Sequence, residues 1–271
     1  MPENRFLASI RAHRRPLQAW MWNPSVLSAE IIARTGFDSV CIDFQHGAMD
    51  FNDLYAIMAV VSANGATPMV RIPHEKDLGW VSRCLDGRAY GVICPDVQTP
   101  ESARAFADAC KYAPAGRRGF GPVRPVLGAP GSAYPAAAGY DTAAENAAVM
   151  AIVQIESPAG LDNVEAIVAT PGVDGVFPGM VDYGLLAHGE VITDFSDPRI
   201  REPIERIMVA ARAAGKPVGL PAIMPDAIPY LLELDVDWIQ VGNDVSWITA
   251  AARNCVTHAR AAIASHARKQ S

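Results

Sequence analysis

The sequence predicts an α/β fold, one (β/α)8 TIM barrel forming a single domain over residues 1–271. Three observations carry this. Eight short apolar, β-branched runs alternate with longer helical stretches. The runs are nearly continuous in apolar character, as parallel strands covered on both faces must be. The length of 271 residues, half of them apolar, suits one barrel of roughly 250 residues and a large core. The main rival is an open doubly wound sheet. It is weakened because no G-x-G-x-x-G follows the first run.

In chain order the runs are 17–22 (LQAWMW), 38–43 (DSVCID), 67–71 (TPMVR), 91–95 (GVICP), 149–155 (VMAIVQI), 173–178 (VDGVFP), 217–223 (PVGLPAI) and 236–241 (VDWIQV). The helical stretches between them carry stop and start signals. Thr99-Pro100-Glu101 opens one helix and Asp197-Pro198 another, each with a capping side chain before a proline at the first helical position. Gly215 ends the second before Lys216-Pro217, and Pro203 is expected to distort its early turns. The cluster Arg11, His13, Arg14, Arg15 reads as a solvated helix face. One stretch, about 113–148, is irregular and rich in Gly, Pro and Ala. It is expected as a long functional loop over the active face, with a short helix near 141–147.

Composition excludes several classes. The net charge of −6 and the lack of a long basic run argue against a nucleic-acid partner. No apolar run approaches the roughly 20 residues of a membrane helix, and the N-terminus has no signal-peptide core. A cytoplasmic protein is expected. The five cysteines are odd in number and contain no C-x-x-C, so neither a disulfide framework nor a zinc site is suggested. Cys41 and Cys94, inside apolar runs, read as buried hydrophobes.

In a parallel barrel the active site lies at the carboxyl ends of the strands. There this sequence places Asp43, Gln45, His46, Arg71, Asp96, Gln98, Gln154, Glu156, Asp182, Asn243 and Asp244. Glu156 and Asp182 would come from neighbouring strands. Two such carboxylates repel unless a proton or cation lies between them, and an oxygen donor set suits a hard divalent cation, Mg²⁺ or Mn²⁺. The plain alternative is that each pairs with an arginine. His46 suits proton transfer at least as well as ligation. A Schiff-base route is disfavoured: of Lys76, Lys111, Lys216 and Lys269, only Lys76 falls on an active-face loop, between Glu75 and Asp77.

At these residues the chain resembles the HpcH/HpaI aldolases, the metal-dependent class II pyruvate aldolases. The likeness covers roughly residues 16–255. It rests on GFDSVCIDFQHG (36–47), MVRIP (69–73), the LD pair at 85–86, YAPAGRRGFG (112–121), VQIES (153–157) and GVDGVFPGMVDYG (172–184). The resemblance implies a barrel enzyme, usually a hexamer built as a trimer of swapped dimers. It would reversibly cleave 4-hydroxy-2-keto acids to pyruvate and an aldehyde. It further implies that Glu156 and Asp182 hold the divalent metal (Mg²⁺, Mn²⁺ or Co²⁺), that Arg71 polarises the keto oxygen, and that His46 handles the proton. Asp86, from a neighbouring subunit, would orient His46, and Trp20 would line the pocket. Gln154, Gly179 and Val181 are expected beside the substrate, with the amides of Val181 and Asp182 receiving its carboxylate. The chain departs from the family at Gln45, where many members have Glu, and at the centre of Pro178-Gly179-Met180-Val181-Asp182. Two rivals share the barrel. A citrate-lyase-like enzyme acting on acyl-CoA thioesters would need a basic patch, for which Arg117, Arg118 and Arg124 are the candidates. A non-catalytic binder of small acids is kept open by Gln45.

Overall fold

The protein is described by a computed structural model that covers residues 4–128, 140–222 and 225–270. Eight strands follow the eight apolar runs. They are β1 (Leu17–Met21), β2 (Ser39–Asp43), β3 (Thr67–Arg71), β4 (Gly91–Cys94), β5 (Met150–Ile155), β6 (Gly175–Pro178), β7 (Gly219–Ala222) and β8 (Trp238–Asn243). Every pairing is parallel, in the order β6-β5-β4-β3-β2-β1-β8-β7. A parallel bridge between Val176 and Val218 joins the two outer strands and closes the (β/α)8 barrel.

The α-helices among the described residues are α1 (Arg5–Arg11), α2 (Val26–Arg34), α3 (Phe51–Ala63), α4 (Gly79–Asp86), α5 (Pro100–Cys110), α6 (Thr142–Ala148), α7 (Pro158–Asp162), α8 (Val164–Val168), α9 (Met180–His188), α10 (Pro198–Ala213), α11 (Ile228–Glu233) and α12 (Asp244–Gln270). The expected caps are in place. Thr99 accepts from Ser102 N and Asp197 from Arg199 N, each before its proline. Pro203 sits inside α10, which runs on unbroken to Ala213. Of the basic N-terminal cluster only Arg11 is helical, because α1 ends there.

Two apolar layers form. One lies between strands and helices and includes Val40, Ile42, Val70, Ile204 and Leu220. The other fills the barrel interior with Trp20, Cys41, Met69, Ile93, Ile152, Phe177 and Trp238. The barrel is therefore packed rather than a pore. Gly219 makes room for the largest of these side chains, since a Cβ there would collide with the Trp238 ring. At the N-terminal end α1 inserts Phe6, whose ring meets Trp238 edge-on at 6.1 Å. Cys41 and Cys94 are fully buried, as read from the sequence. Among the described residues no helix is long and apolar enough to cross a membrane.

The placement of the irregular stretch 113–148 is a correction. Its described parts, 113–128 and 140–148, do not lie over the C-terminal face of the barrel. It leaves the end of α5 and feeds the start of β5, both at the N-terminal end, and is tied there by Arg117 N to Asp108 O (2.7 Å) and Arg124 N to Asp86 O (3.0 Å). The expected short helix is α6, capped by Asp141. Residues 129–139 of the stretch lie outside the described residues.

Candidate active site

The C-terminal mouth is organised by a pair the strand register creates. Asp43 and Arg71 are direct neighbours at the ends of β2 and β3. Arg71 Nε and Nη2 donate to the two oxygens of Asp43 at 2.9 and 2.6 Å. Both residues are buried, so the fork holds the guanidinium rigid. Asp43 Oδ1 also accepts the backbone N–H of Gln45 (3.0 Å) and of His46 (3.4 Å). One carboxylate thus shapes the loop bearing His46 and aims Arg71. The remaining Arg71 nitrogen, Nη1, reaches only Gln154 Oε1 at 3.4 Å. The guanidinium lies 4.2 Å over the Trp20 ring, which stacks on Phe177 at 5.4 Å. Trp20 is held by its Nε1 donating to Gln18 Oε1 (3.1 Å).

The acidic pair comes from β5 and the N-terminus of α9. Glu156 follows β5 directly and is 3% exposed. Its Oε1 accepts Asp96 N at 2.9 Å, and its Oε2 accepts Gln154 Nε2. Asp96 holds a left-handed backbone (φ 48°) that aims this amide. Burial pushes the Glu156 carboxyl up to about 7, with the negative charge of Asp182 adding to it and Arg71 opposing it. Asp182 sits in the first turn of α9, whose N-cap Gly179 offers no side chain to the helix amides. Gly179 is dictated by space: a Cβ there would run into Glu156 Oε2 and would lie 2.7 Å from Gln154 Nε2. Val181 follows in the same turn, half-buried.

The arginine-pairing alternative for the two carboxylates does not hold for Glu156. The guanidinium nearest to it forks onto Asp43 instead. Among the described residues no group of three or more His, Cys, Asp or Glu side chains is placed to hold a metal ion. Glu156 and Asp182 fall below that count, and what they offer is two carboxylates, the hard oxygen donors a divalent cation takes together with water.

The chain matches a family model described as HpcH/HpaI aldolase/citrate lyase over residues 18–246. The chain belongs to this family. A hydroxypyruvate/pyruvate aldolase of Rhizorhabdus wittichii is 34% identical over 92% of this chain and 95% of that protein. A 5-keto-4-deoxy-D-glucarate aldolase of Klebsiella pneumoniae is 31% identical over 92% and 94%. The crystal structure of an HpcH/HpaI aldolase/citrate lyase family protein from Burkholderia cenocepacia superposes with a TM-score of 0.80 at 28% identity, covering 96% of this chain and all of that one.

For an HpcH/HpaI chain, the expected residues fall into two groups. Trp20, Arg71, Gln154, Glu156, Gly179, Val181 and Asp182 converge on one mouth. His46 stands at its rim, exposed. Asp86 is not among them within this chain. It ends α4 at the opposite end of the barrel, where Arg118 Nη2 donates to its Oδ1 at 2.9 Å and burial raises its carboxyl against that ion pair. Arg118 is its ion-pair partner. Asn243 and Asp244 serve structure: Asn243 Oδ1 accepts Ser246 N, and Asp244 receives the backbone amides of Trp22 and Asn23. Sequence reasoning gave no role to Asp43 and none to the Asp96 amide. In the sequence Asp43 is legible only as the polar residue that ends its apolar run; its register with Arg71 comes from the strand pairing.

Proposed function

We propose that this chain is a divalent-metal-dependent aldolase that reversibly cleaves a 4-hydroxy-2-keto acid into pyruvate, or a related 2-keto acid, and an aldehyde. One observation carries the reading. A buried carboxyl, Glu156, is raised to about 7 by burial and by the charge of Asp182, beside a rigid guanidinium whose Nη1 makes only a 3.4 Å contact with Gln154. Such a pair is costly unless a cation or proton relieves it, and Arg71 is already engaged by Asp43.

Glu156 and Asp182 would hold the cation. When bound, it withdraws electron density from the carboxylate and 2-keto oxygens of the substrate. The chain's own groups do the rest. Arg71 Nη1 donates to the 2-keto oxygen and stabilises the negative charge that develops there as the C3–C4 bond breaks. The uncapped N-terminus of α9, at Gly179, Val181 and Asp182, receives the substrate carboxylate on its amides, where the helix dipole favours an anion. Trp20 packs as the floor beneath Arg71. His46 accepts the proton of the 4-hydroxyl as the C3–C4 bond breaks, a proton from solvent then adds to C3 of the enolate to give the 2-keto acid, and in the synthetic direction His46 returns its proton to the new alkoxide. Asp86 reaches such a mouth only from a second copy of the chain, so its proposed part in orienting His46 requires an oligomer. The surface of α12 supports one: Val245, Ile248, Val256 and Ile263 are all exposed along a helix about 40 Å long. A hexamer with α12 exchanged between copies is the assembly we propose.

The acyl-CoA alternative is less well supported. Arg118 is committed to Asp86, and Arg124 Nη1 donates to Gly87 O, both at the end of the barrel away from the mouth. The deciding experiment incubates the protein with pyruvate in deuterium oxide and Mg²⁺, Mn²⁺ or Co²⁺, and then assays cleavage of a panel of 4-hydroxy-2-keto acids. Metal-dependent exchange of the methyl protons is expected. No exchange with any of the three metals, with the protein folded, would favour a binder without catalysis.

A further inference from the structure

A second pocket, of 600 Å³, opens at the end of the barrel opposite Glu156, between α1, the turn joining α10 to β7, and the residues before β6 and β8. Its volume falls within the roughly 300–1,000 Å³ typical of small-ligand sites. Arg11, Arg15, Arg212 and Lys216 line it, with His13 on its rim. This is a concentration of positive charge on a chain whose net charge is −6.

The carboxylates nearby do not neutralise it. Asp174 is held by Lys111 at 2.6 Å. Asp235 is shared between Arg15 and Arg212, the latter at 3.8 Å. Asp237 accepts Val218 N at 2.8 Å, and burial pushes its carboxyl up, toward the neutral form. Five cations, counting Lys111, thus meet three acids. Arg15 Nε is buried with no acceptor, and Arg11 makes no ion pair among the described residues. Lys216 Nζ has only the carbonyl of Val173, at 2.6 Å. The backbone is strained at the same place. Of five non-glycine residues with positive φ among the described residues, His13 (53°), Arg15 (49°) and Asp235 (59°) all line this pocket. Strain of this kind persists where surrounding structure enforces it, and it clusters at ligand sites. The other wall is apolar, from Leu7, Ile10 and Val236.

We propose that this pocket binds a small organic anion, with an oxyanion head on the guanidinium groups and a short aliphatic body against Leu7, Ile10 and Val236. It is a site separate from the mouth that holds Glu156, and it does not depend on the aldolase reading. The test is calorimetric titration of the full chain at low ionic strength in EDTA, which leaves the Glu156–Asp182 mouth without a cation. The probes are butyrate, butyl phosphate and inorganic phosphate. Saturable binding is expected for butyrate or butyl phosphate, tighter than for inorganic phosphate, and the better of the two identifies the head group. Arg11→Glu should raise Kd by ~10-fold or more, as for loss of a charge-assisted contact. Arg11 is exposed, so the fold should survive, and an unchanged melting temperature verifies this; Arg11→Gln, with a smaller loss, guards against a charge-reversal artefact. Arg201→Glu, exposed at the start of α10 and away from the pocket, should leave Kd unchanged. Absence of saturable binding, an equal effect of Arg201→Glu, or no effect of either Arg11 variant would overturn the proposal.

Discussion

Replacing Glu156 by Gln isolates the electrostatic core of the site. In the metal-free protein the Glu156 carboxyl stands at about 7 against an ordinary 4.5. At about 1.4 kcal/mol per pH unit, ionising it in the folded state costs ~3 kcal/mol. The sign follows from proton counts. Between pH 4.5 and 7 the native state keeps a proton that the unfolded state has released, so stability falls as pH rises through that window and levels off above it. The Glu156→Gln variant has no proton to lose at this position. Its amide must present an oxygen to Asp96 N and a nitrogen toward Gln154, whose own amide has to turn; that cost, ~1 kcal/mol, does not vary with pH. Asp86 and Asp237, also raised by burial, titrate in both proteins and cancel in the comparison. Denaturant unfolding in EDTA at pH 5 and pH 8 should therefore show the wild type losing ~2.5 kcal/mol more than Glu156→Gln between the two pH values. With Mn²⁺ the wild type alone should recover stability at pH 8, with affinity rising ~10-fold per pH unit below 7. An equal loss in both proteins would refute the account of Glu156 as a carboxyl strained by burial and by Asp182.

Other substitutions separate chemistry from structure. Arg71→Ala should lower kcat by ~10²–10³ through loss of the donor to the keto oxygen. It should also destabilise the fold by ~3–5 kcal/mol, because Asp43 is left buried without its cation; steady-state kinetics beside a urea melt measures both. His46→Ala should lose ~10²–10⁴ in turnover with a melting temperature within ~2 °C of wild type, since the side chain is exposed. Gly179→Ala drives a methyl into Glu156 and Gln154. It should abolish metal-dependent activity and lower stability by ~1–3 kcal/mol, and a crystal structure should show Glu156 displaced.

The sequence alone determined the strand–helix alternation and which residues stand at strand ends. Both are periodic, local properties: apolar runs a few residues long, capped helices beginning at Thr99-Pro100 and Asp197-Pro198, and a polar residue where each run stops. That was enough to bring His46, Arg71, Gln154, Glu156 and Asp182 to one mouth. Tertiary structure decided what lies beside what. Asp43 grips Arg71 because β2 and β3 pair in one particular register, and a slip of one residue would turn Asp43 to the other face. The Asp96 amide reaches Glu156 only through a left-handed turn that a non-glycine residue rarely adopts. The stretch 113–148 has the composition of an active-face loop, yet its described parts, 113–128 and 140–148, lie at the other end of the barrel, because the helix α5 returns the chain there first. Local composition reports burial and turning of the chain, but side-chain partnership is set by elements far apart in sequence, and no single segment encodes it.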